Sequence, residues 1–404
     1  MRFGLIGKTL VHSYSPAIHS RIGDYEYKLY PLEPDNVADF VQTTDLAAFN
    51  VTIPYKKAVI PLCKEISERA KAIGSVNTML RLRGGGWYGD NTDYDGFVYQ
   101  LGKDAEILKG KKALVLGNGG SSQTVQKVLS DCEIPFTVIT HKENTPETLA
   151  RHPDAELIVN TSPVGMYPNN GDSPADLSLF ENCRLVLDLI YNPAKTALLL
   201  QAESLGIPAR NGLSMLVAQG VRAGELFLAK SLPKTLVGTI TDEIRRQTLN
   251  IVLIGMPGCG KTTAANLLSK LTGRRVADTD DLIREKAGME IPEIFVKYGE
   301  PYFRKLETEA LREVSKESGL IIAVGGGIVK TPENFGLIRQ NSVCVFLDTD
   351  LSKLDTAGRP LSLATGVKQL YAERLPLYQA WSDYTYKTAD LAQTAAQIKA
   401  DLSL

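Results

Sequence analysis

Short apolar runs that end at polar, glycine-rich turns recur along this chain. Such runs are typical of buried β-strands, whereas apolar residues at three- and four-residue spacing are typical of helices. The pattern predicts helices at residues 262–271 and 233–247, the second with one apolar face for packing. Predicted strands lie at residues 3–7, 136–140 and 250–254, and further strands begin within 49–56, 111–122, 157–166 and 185–193. This alternation predicts an α/β fold.

The glycine-rich turn between the predicted strand at 250–254 and the helix at 262–271 reads Gly255-Met-Pro-Gly-Cys-Gly-Lys-Thr-Thr263. It matches the G-x-x-x-x-G-K-[ST] phosphate-binding pattern, and its strand and helix flanks favour that function over a plain turn. Backbone N–H groups would face phosphate oxygens, Lys261 would add a positive charge, and Thr262 would offer a hydroxyl to Mg²⁺. The predicted ATP-binding residues are Pro257, Gly258, Cys259, Gly260, Lys261, Thr262 and Thr263.

Composition restricts the class of protein. A chain of 404 residues with 44% apolar and 23% charged residues has room for two or three ordinary globular domains. A formal net charge of −1 argues against nucleic acid or an acidic membrane surface as the main partner. The five scattered cysteines include no C-x-x-C pair, which predicts reduced thiols and a cytoplasmic protein. The sequence gives no indication of oligomeric state.

Four polar motifs follow one another in the first hundred residues, at 12–16, 50–56, 74–78 and 89–96. Each motif alone is compatible with a capped turn, since Asn, Asp, Ser and Gly are common turn formers. The first motif, His12-Ser-Tyr-Ser-Pro16, also suits the opening of a helix. Its two hydroxyls, at Ser13 and Ser15, could instead face one anionic group.

In this order, the motifs H-S-Y-S-P, N-V-T-x-P-x-K, V-N-T and D-N-T-D resemble the shikimate dehydrogenase family, and the similarity extends to about Gln247. The resemblance implies that Ser13 and Ser15 bind the substrate carboxylate and that Lys56 and Asp93 form the catalytic pair. Such a pair suits the reaction, because hydride addition to a ketone leaves an alkoxide that needs a proton. The other implied substrate-binding residues are Thr52, Asn77, Tyr191 and Gln219.

The stretch Lys111–Ser122 reads as a strand, a glycine turn and a helix start, the form of a dinucleotide-binding unit, although Ser122 stands where the pattern has a glycine or alanine. The strand at 136–140 ends without the acidic residue that binds the ribose of NAD and runs into His141-Lys142, which favours NADP(H) despite the opposing charge of Glu143. The predicted NADP(H)-binding residues are Gly117, Asn118, Gly119, Gly120, Ser121, His141, Lys142 and, by resemblance, Gly212.

From Leu249 onward the chain resembles the shikimate kinase family. This implies that Thr262 and Asp278 hold Mg²⁺, that Asp280 binds the attacking hydroxyl, and that Arg359 closes over the ATP phosphates in a lid. The implied shikimate-binding residues are Asp280, Arg304, Gly325, Gly326, Gly327 and Arg374. The lid segment Leu354-Asp-Thr-Ala357 lacks the family's upstream adenine-stacking arginine, so selectivity for adenine is open.

Both resemblances together predict a two-lobed dehydrogenase with a Rossmann-like dinucleotide domain, followed by a P-loop α/β kinase domain of the nucleoside-monophosphate-kinase type. The expected domains are 1–247 (substrate lobe about 1–98 plus 213–247, dinucleotide lobe about 99–212) and 248–404. The expected function is NADPH-dependent reduction of 3-dehydroshikimate and then ATP-dependent phosphorylation of shikimate. One alternative is a metabolite-sensing module that has lost catalysis, but Lys56, Asp93, Lys261 and Asp280 are all present. Another is a dehydrogenase that uses quinate and NAD.

Overall fold

The structure, a computed structural model, describes residues 1–11, 13–354 and 366–404. These residues contain three separate β-sheets, each flanked by helices. The chain divides into two units, the first formed by Met1–Tyr191 and Gln201–Ile244, the second by Asn192–Leu200 and Arg245–Leu404. This confirms the predicted α/β class.

The first sheet of the first unit has six strands, in the order β2-β1-β3-β5-β6-β4. Its strands β3 and β6 pair with β5 in antiparallel fashion, and the remaining neighbours are parallel. The strands are β1 (Arg2–Gly7), β2 (Glu26–Pro31), β3 (Ala48–Val51), β4 (Glu65–Ile66), β5 (Thr78–Arg81) and β6 (Trp87–Asp90). The helices of this part are α1 (Ser15–Ile22), α2 (Val37–Thr43), α3 (Glu68–Ile73), α4 (Asp93–Leu101) and α5 (Asp104–Leu108).

The second sheet has five parallel strands in the order β11-β10-β9-β7-β8. The chain reverses its direction across this sheet between β7 and β9, and open α/β sheets bind ligands at the carboxyl ends of the strands beside such a reversal. The strands are β7 (Ala113–Leu116), β8 (Phe136–Ile139), β9 (Leu157–Asn160), β10 (Leu185–Asp188) and β11 (Ala209–Arg210). The helices are α6 (Gly120–Asp131), α7 (Pro146–Leu149), α8 (Ala197–Ser204), α9 (Leu213–Leu228) and α10 (Leu236–Thr248).

The third sheet is also five-stranded and parallel, in the order β13-β14-β12-β15-β16. All five residues of its central strand are buried, as expected for a strand with neighbours on both sides. The strands are β12 (Asn250–Ile254), β13 (Val276–Asp278), β14 (Ile321–Ala323), β15 (Ser342–Asp348) and β16 (Tyr384–Lys387). The helices are α11 (Lys261–Thr272), α12 (Thr279–Ala287), α13 (Ile291–Val314), α14 (Glu333–Asn341), α15 (Val367–Trp381) and α16 (Leu391–Asp401). Short 3₁₀ helices lie at Pro34–Asn36, Ile60–Leu62, Leu177–Leu179, Ile328–Lys330 and Leu351–Lys353.

The amphipathic pattern at 233–247 forms α10. Its buried residues Val237, Ile240 and Ile244 follow helical spacing. They share one apolar cluster with Ile18 and Ile22 of α1, so the helix packs back on the first part of the chain.

A buried histidine lies in the core beside the first sheet. The His19 ring is 1% exposed, stacks on the Tyr27 ring at 3.8 Å between centroids, and has its Nδ1 2.7 Å from the Tyr25 hydroxyl. Burial lowers the pKa of His19 to about 3, because the imidazolium loses its hydration.

This histidine should make stability depend on pH. The unfolded chain takes up a proton on His19 near its ordinary pKa of 6.5, whereas the folded chain stays neutral at this ring down to about pH 3. The contribution to the free energy of unfolding is therefore constant above pH 6.5 and falls as the pH drops below it, by up to about 1.4 kcal/mol per pH unit. Denaturant unfolding between pH 6.5 and about 4.5 should show a flatter dependence for His19→Gln than for wild type, and an unchanged one for the exposed control His141→Gln. Equal slopes in all three would contradict the assignment.

Candidate active sites

Lys56 and Asp93 form an ion pair in the first unit. Lys56 lies on the loop that follows β3, and Asp93 is the first residue of α4. The Lys56 Nζ is 2.5 Å from the Asp93 Oδ2, and the two side chains are 17% and 12% exposed. A carboxylate at a helix N-terminus is stabilised by the helix dipole. The structure therefore brings together the two residues that the sequence selects as an acid–base pair.

The Asn77 side chain is bonded to Thr92, the residue before Asp93, and its hydrogen bonds fix its orientation. Its Oδ1 accepts from the backbone N–H of Thr92 at 2.7 Å and from the Thr78 hydroxyl at 2.9 Å. Its Nδ2 donates to the Thr92 hydroxyl at 3.1 Å, which leaves a second N–H. Asn77 is buried, and the Thr78 hydroxyl is itself held by the Asn50 Nδ2 at 3.1 Å. Both acceptor positions of Oδ1 are thus taken, so Asn77 can offer a ligand only a donor.

The loop that precedes Asp93 is anchored by a charged pair that sequence reasoning missed. Arg69 donates two hydrogen bonds to Asp90, at 2.8 and 2.6 Å, and Ser67 donates a third at 2.6 Å. Burial raises the pKa of Asp90, but these hydrogen bonds and the Arg69 charge outweigh it and hold that pKa below its usual value. The signal was available, since Asp90 is the first acid of the D-N-T-D motif.

The two serines lie where α1 begins. Ser15 is the first residue of the helix and is followed by Pro16, so this motif does open a helix. The Ser13 hydroxyl accepts from the Ser15 N–H at 3.3 Å. The ring of Tyr14, between them, is 5.2 Å from the ring of Tyr191. Tyr191 and the serine loop, which the sequence separates widely, are therefore neighbours.

Thr52 and Gln219 are held by different elements. The Thr52 N–H donates to the Ile6 carbonyl at 2.9 Å, which ties the loop after β3 to the end of β1. The Gln219 side chain donates back to the Leu216 carbonyl of its own helix at 2.7 Å. At Gly96 of α4, an added Cβ would lie 3.2 Å from the Gln219 Cβ, so Gln219 lies against the helix that begins with Asp93.

The glycine turn after β7 has the shape of a phosphate cradle. Gly117 has φ +108°, which strongly favours glycine, and an added Cβ there would lie 2.9 Å from the Thr161 Oγ1. Added Cβ atoms at Gly119 and Gly120 would meet nothing within 4 Å, so the turn leaves open space before α6. Ser122, which departs from the sequence pattern, is buried and donates to the Gly117 carbonyl at 2.7 Å. These residues fit the pyrophosphate of a dinucleotide.

The remaining predicted dinucleotide residues lie in this turn, in the turn after β8 and before α9. Asn118 is exposed and Ser121 is half-buried. His141 and Lys142 lie exposed in the turn that follows β8. Gly212 directly precedes α9, where an added Cβ would overlap the carbonyl group of Leu189.

Two glycines permit a matched test of this geometry. Gly212→Ala forces a Cβ into the backbone of Leu189 and should lower the free energy of unfolding by about 2–3 kcal/mol, as overpacking does. Gly119→Ala, at φ −73°, adds a methyl group to open space and should leave stability nearly unchanged while weakening NADPH binding. Thermal unfolding and cofactor titration of both variants provide the measurement. A Gly212→Ala protein as stable as wild type would contradict the close approach.

The P-loop of the second unit runs from Gly255 to α11. Gly255, Gly258 and Gly260 have φ of +149°, +82° and +88°. The Lys261 Nζ donates to the carbonyls of Gly255 and Met256, both at 3.0 Å, and lies 3.8 Å from the Cys259 Sγ. Lys261 is buried, so its charge is directed into the loop. Pro257 and Thr263 complete the predicted ATP-binding set, and Pro257 contacts the glycine turn that follows β14.

Thr262 and Asp278 fit a magnesium site. The Thr262 hydroxyl donates to the Asp278 Oδ2 at 2.7 Å, while the Asp278 Oδ1 caps α12 by accepting from the Asp280 N–H at 3.0 Å. Mg²⁺ is usually held by one or two oxygen ligands of the protein together with substrate phosphates and water. Among the described residues no cluster of three or more His, Cys, Asp or Glu side chains could hold a metal ion by itself.

Arg374 and Arg304 lie around the glycine turn that follows β14 and contacts Pro257 of the P-loop. Arg374 is 2% exposed and donates from Nη1 to the Gly326 carbonyl at 3.0 Å, while its Nε and Nη2 have no hydrogen-bond partner within the described parts of the chain. The Arg304 Nη1 donates to the Glu307 Oε2 at 2.7 Å. Burial raises the pKa of Glu307, although the Arg304 charge opposes this. Buried N–H groups of this kind suit a carboxylate ligand.

Three successive glycines bring the backbone of this turn close to the neighbouring side chains. An added Cβ at Gly325 would overlap the Glu307 carboxylate and lie 3.2 Å from the Asp280 Oδ1, and one at Gly327 would overlap the Arg304 guanidinium. At Gly326 it would lie 2.5 Å from the Pro257 Cδ. The turn therefore connects the P-loop with Asp280 and Arg304.

Some predicted features are not described here. Arg359 and residues 355–357 of the lid lie outside the described residues.

Sequence reasoning also missed Glu300, whose carboxylate accepts from Arg304 at 2.9 Å, and no motif indicated it. A search of the described helices finds none that is long and apolar enough to cross a membrane.

Comparisons with known proteins identify both parts of the chain. The family described as "Shikimate dehydrogenase substrate binding domain" matches residues 5–79, and "Shikimate kinase" matches residues 257–403. The shikimate dehydrogenase (NADP(+)) of Clostridium perfringens (strain SM101 / Type A) is 33% identical over 267 residues, 60% of this chain and 98% of that protein. The corresponding protein of Trichormus variabilis is 37% identical over 262 residues, 56% of this chain and 90% of that protein.

Two solved structures resemble the same region. A chorismate mutase/shikimate 5-dehydrogenase fusion protein from Clostridium acetobutylicum has a TM-score of 0.56 at 34% identity, covering 60% of this chain and 96% of that one. Shikimate 5-dehydrogenase from Thermus thermophilus, in complex with NADP(H) and shikimate, has a TM-score of 0.55 at 27% identity, covering 60% and 99%. The chain belongs to the shikimate dehydrogenase family and continues into a shikimate kinase domain, so it is a bifunctional enzyme of the shikimate pathway.

Proposed function

We propose that the residues around Lys56 reduce 3-dehydroshikimate with NADPH and that those around the P-loop phosphorylate the shikimate so formed. The Lys56–Asp93 pair is the observation that carries the first assignment, since a charged, half-buried donor at 2.5 Å from its carboxylate suits proton delivery to an alkoxide. NADPH supplies the hydride when it is bound at the glycine turn after β7. Ser13 and Ser15 would bind the substrate carboxylate.

The substrate hydroxyl next to the pair has a defined polarity. Asn77 offers only an N–H, and the carboxylate oxygens of Asp93 are acceptors. A substrate hydroxyl between them would accept from Asn77 and donate to Asp93, with Lys56 held against the same carboxylate. Thr52, Tyr191 and Gln219 would complete this pocket from the loop after β3, the loop after β10 and α9.

In the kinase part, Lys261 would bind the β- and γ-phosphates and Asp280 the attacking hydroxyl. Arg374 and Arg304 would bind the carboxylate of shikimate, because the buried N–H groups of Arg374 need an acceptor. Mg²⁺ bound near Thr262 and Asp278 would neutralise charge on the phosphates, and Arg359 would act from the lid.

The five cysteines are free thiols, which supports a location in the reducing cytoplasm.

A coupled assay tests the whole proposal. Purified protein supplied with 3-dehydroshikimate, NADPH and ATP-Mg²⁺ should oxidise NADPH and form shikimate 3-phosphate, and omission of ATP should stop the sequence at shikimate. Initial rates with quinate and NAD⁺ test the alternative substrate pair. Faster oxidation of quinate than of shikimate would contradict the assignment.

The domain boundary is a further part of the proposal. Helix α10 ends at Thr248 and β12 begins at Asn250, so Leu249 alone separates them. We expect residues 1–247 and 248–404, expressed separately, to fold and keep most of their activity, because neither set of motifs interrupts the other. This cut separates Asn192–Leu200 from the rest of the second unit, so the expectation is that this short segment is dispensable for the kinase part. Labelled shikimate formed in the intact chain should equilibrate with an excess of unlabelled shikimate before phosphorylation. Full retention of label, or an inactive separated kinase part, would contradict independent domains.

A further inference from the structure

The side chain of Glu143 places an acidic group at the C-terminal end of strand β8. The sequence pattern has no acidic residue at the strand end itself. The strand ends at Ile139, and the Glu143 N–H bonds back to the Thr140 carbonyl at 3.0 Å, which closes a tight turn. The Glu143 Oε2 accepts from the Thr140 hydroxyl at 2.6 Å and from its N–H at 3.2 Å. The turn therefore brings the Glu143 carboxylate back to Thr140, the residue that follows the strand.

This strand end adjoins the dinucleotide turn. In the register of β7 and β8, Leu116 pairs with Ile139, and the Gly117 N–H donates to the Ile139 carbonyl at 2.8 Å. Gly117 is the first residue of the glycine turn. In dinucleotide-binding folds, the end of the second strand is where the protein contacts the adenosine ribose.

The same turn also carries positive charge. His141 and Lys142 are exposed, and within the described residues neither side chain forms a hydrogen bond or an ion pair. The hydrogen bonds from Thr140 lower the pKa of Glu143, so its carboxylate stays ionised at neutral pH. The turn at the end of β8 therefore carries an acidic side chain together with His141 and Lys142.

We propose that Glu143 determines cofactor selectivity in the dehydrogenase, accepting a hydrogen bond from the 2′-hydroxyl of NAD(H) and repelling the 2′-phosphate of NADP(H). The enzyme uses NADP(H) because of His141 and Lys142, but its preference over NAD(H) is modest. This inference rests on the proposed dehydrogenase function. Its physical basis is that a carboxylate only accepts hydrogen bonds, which suits a hydroxyl and not a phosphate.

The test compares wild type with Glu143→Gln, which keeps the side-chain shape and removes the charge. Calorimetric titration should show that the variant binds NADP⁺ and 2′,5′-ADP about tenfold more tightly and NAD⁺ about tenfold more weakly. Glu147→Gln is the matched control, because Glu147 is an equally exposed acid four residues later in α7. Salt near about 1 M should reduce the gain for NADP⁺, since screening removes the repulsion that the variant relieves.

Equal changes for both cofactors, no change, or the same shift in Glu147→Gln would overturn the inference. The ratio of kcat/KM for NADPH and NADH should move in the same direction as the affinities. Failure of the proposed function has a separate signature, because reduction of 3-dehydroshikimate would then be absent with both cofactors while the titrations still report on Glu143.

Discussion

Lys56→Ala is expected to lower kcat for reduction of 3-dehydroshikimate by about a thousandfold, with little change in KM. The reason is that Lys56 acts on charge that develops only in the transition state, while the serine loop and Asn77 still bind the substrate. Steady-state rates with NADPH provide the measurement. Phosphorylation of added shikimate should keep its wild-type rate, since Lys56 lies in the first unit.

The adjacent Lys57 provides the matched control. It is exposed and follows Lys56 directly, so Lys57→Ala removes the same charge from the same loop and should leave both activities unchanged. Asp93→Asn should resemble Lys56→Ala, because the amide no longer stabilises the ammonium group. Wild-type turnover in Lys56→Ala would refute the assignment of the proton donor.

Lys261→Ala is expected to abolish phosphoryl transfer while NADPH oxidation continues at the wild-type rate. Lys261 donates to the Gly255 and Met256 carbonyls, and ATP phosphates would replace those acceptors. Loss of a preorganised donor at developing negative charge costs at least about a hundredfold in rate. Separate assays of the two half-reactions on one preparation make the measurement.

Lys270→Ala is the control for this variant. Lys270 lies exposed in the last turn of the same helix, α11, and should be replaceable without loss of either activity. If Lys261→Ala also stopped the dehydrogenase, the assignment of Lys261 to phosphate binding alone would be wrong.

Motif order in the sequence singled out residues that the structure brings into contact. Lys56 and Asp93 are separated by 37 positions, yet their motifs were enough to pair them, and the structure places them in contact. The strand Asn250–Ile254 and the helix after it agree closely with the apolar pattern, because buried strands and amphipathic helices leave regular periods. The Thr262 hydroxyl and the Asp278 carboxylate are also in contact.

Other features depend on hydrogen bonds that motifs do not encode. Ser122 departs from the dinucleotide pattern, but its hydroxyl closes the turn by bonding to the Gly117 carbonyl. Arg69 anchors Asp90 in the structure. A single arginine outside a motif could not be recognised from the sequence, because nothing distinguishes it from other surface arginines. From the sequence, Glu143 could be recognised only as a negative charge next to His141 and Lys142. Nothing in the order of residues shows that its carboxylate folds back on Thr140.

The fixed amide of Asn77 has a consequence for inhibitors. A fluorine atom is close in size to a hydroxyl group and can accept a weak hydrogen bond, but it carries no proton. In a substrate analogue it would keep contact with the Asn77 N–H and place its negative end against the Asp93 carboxylate. Because neighbouring Thr78 and Thr92 prevent the amide from turning over, the pocket cannot adapt to this reversed polarity. A protonated amine at the same position would fail in the opposite way, since its protons suit Asp93 but it has no lone pair to accept from the Asn77 N–H. The site would therefore favour a substituent that both donates and accepts a hydrogen bond, as an alcohol does.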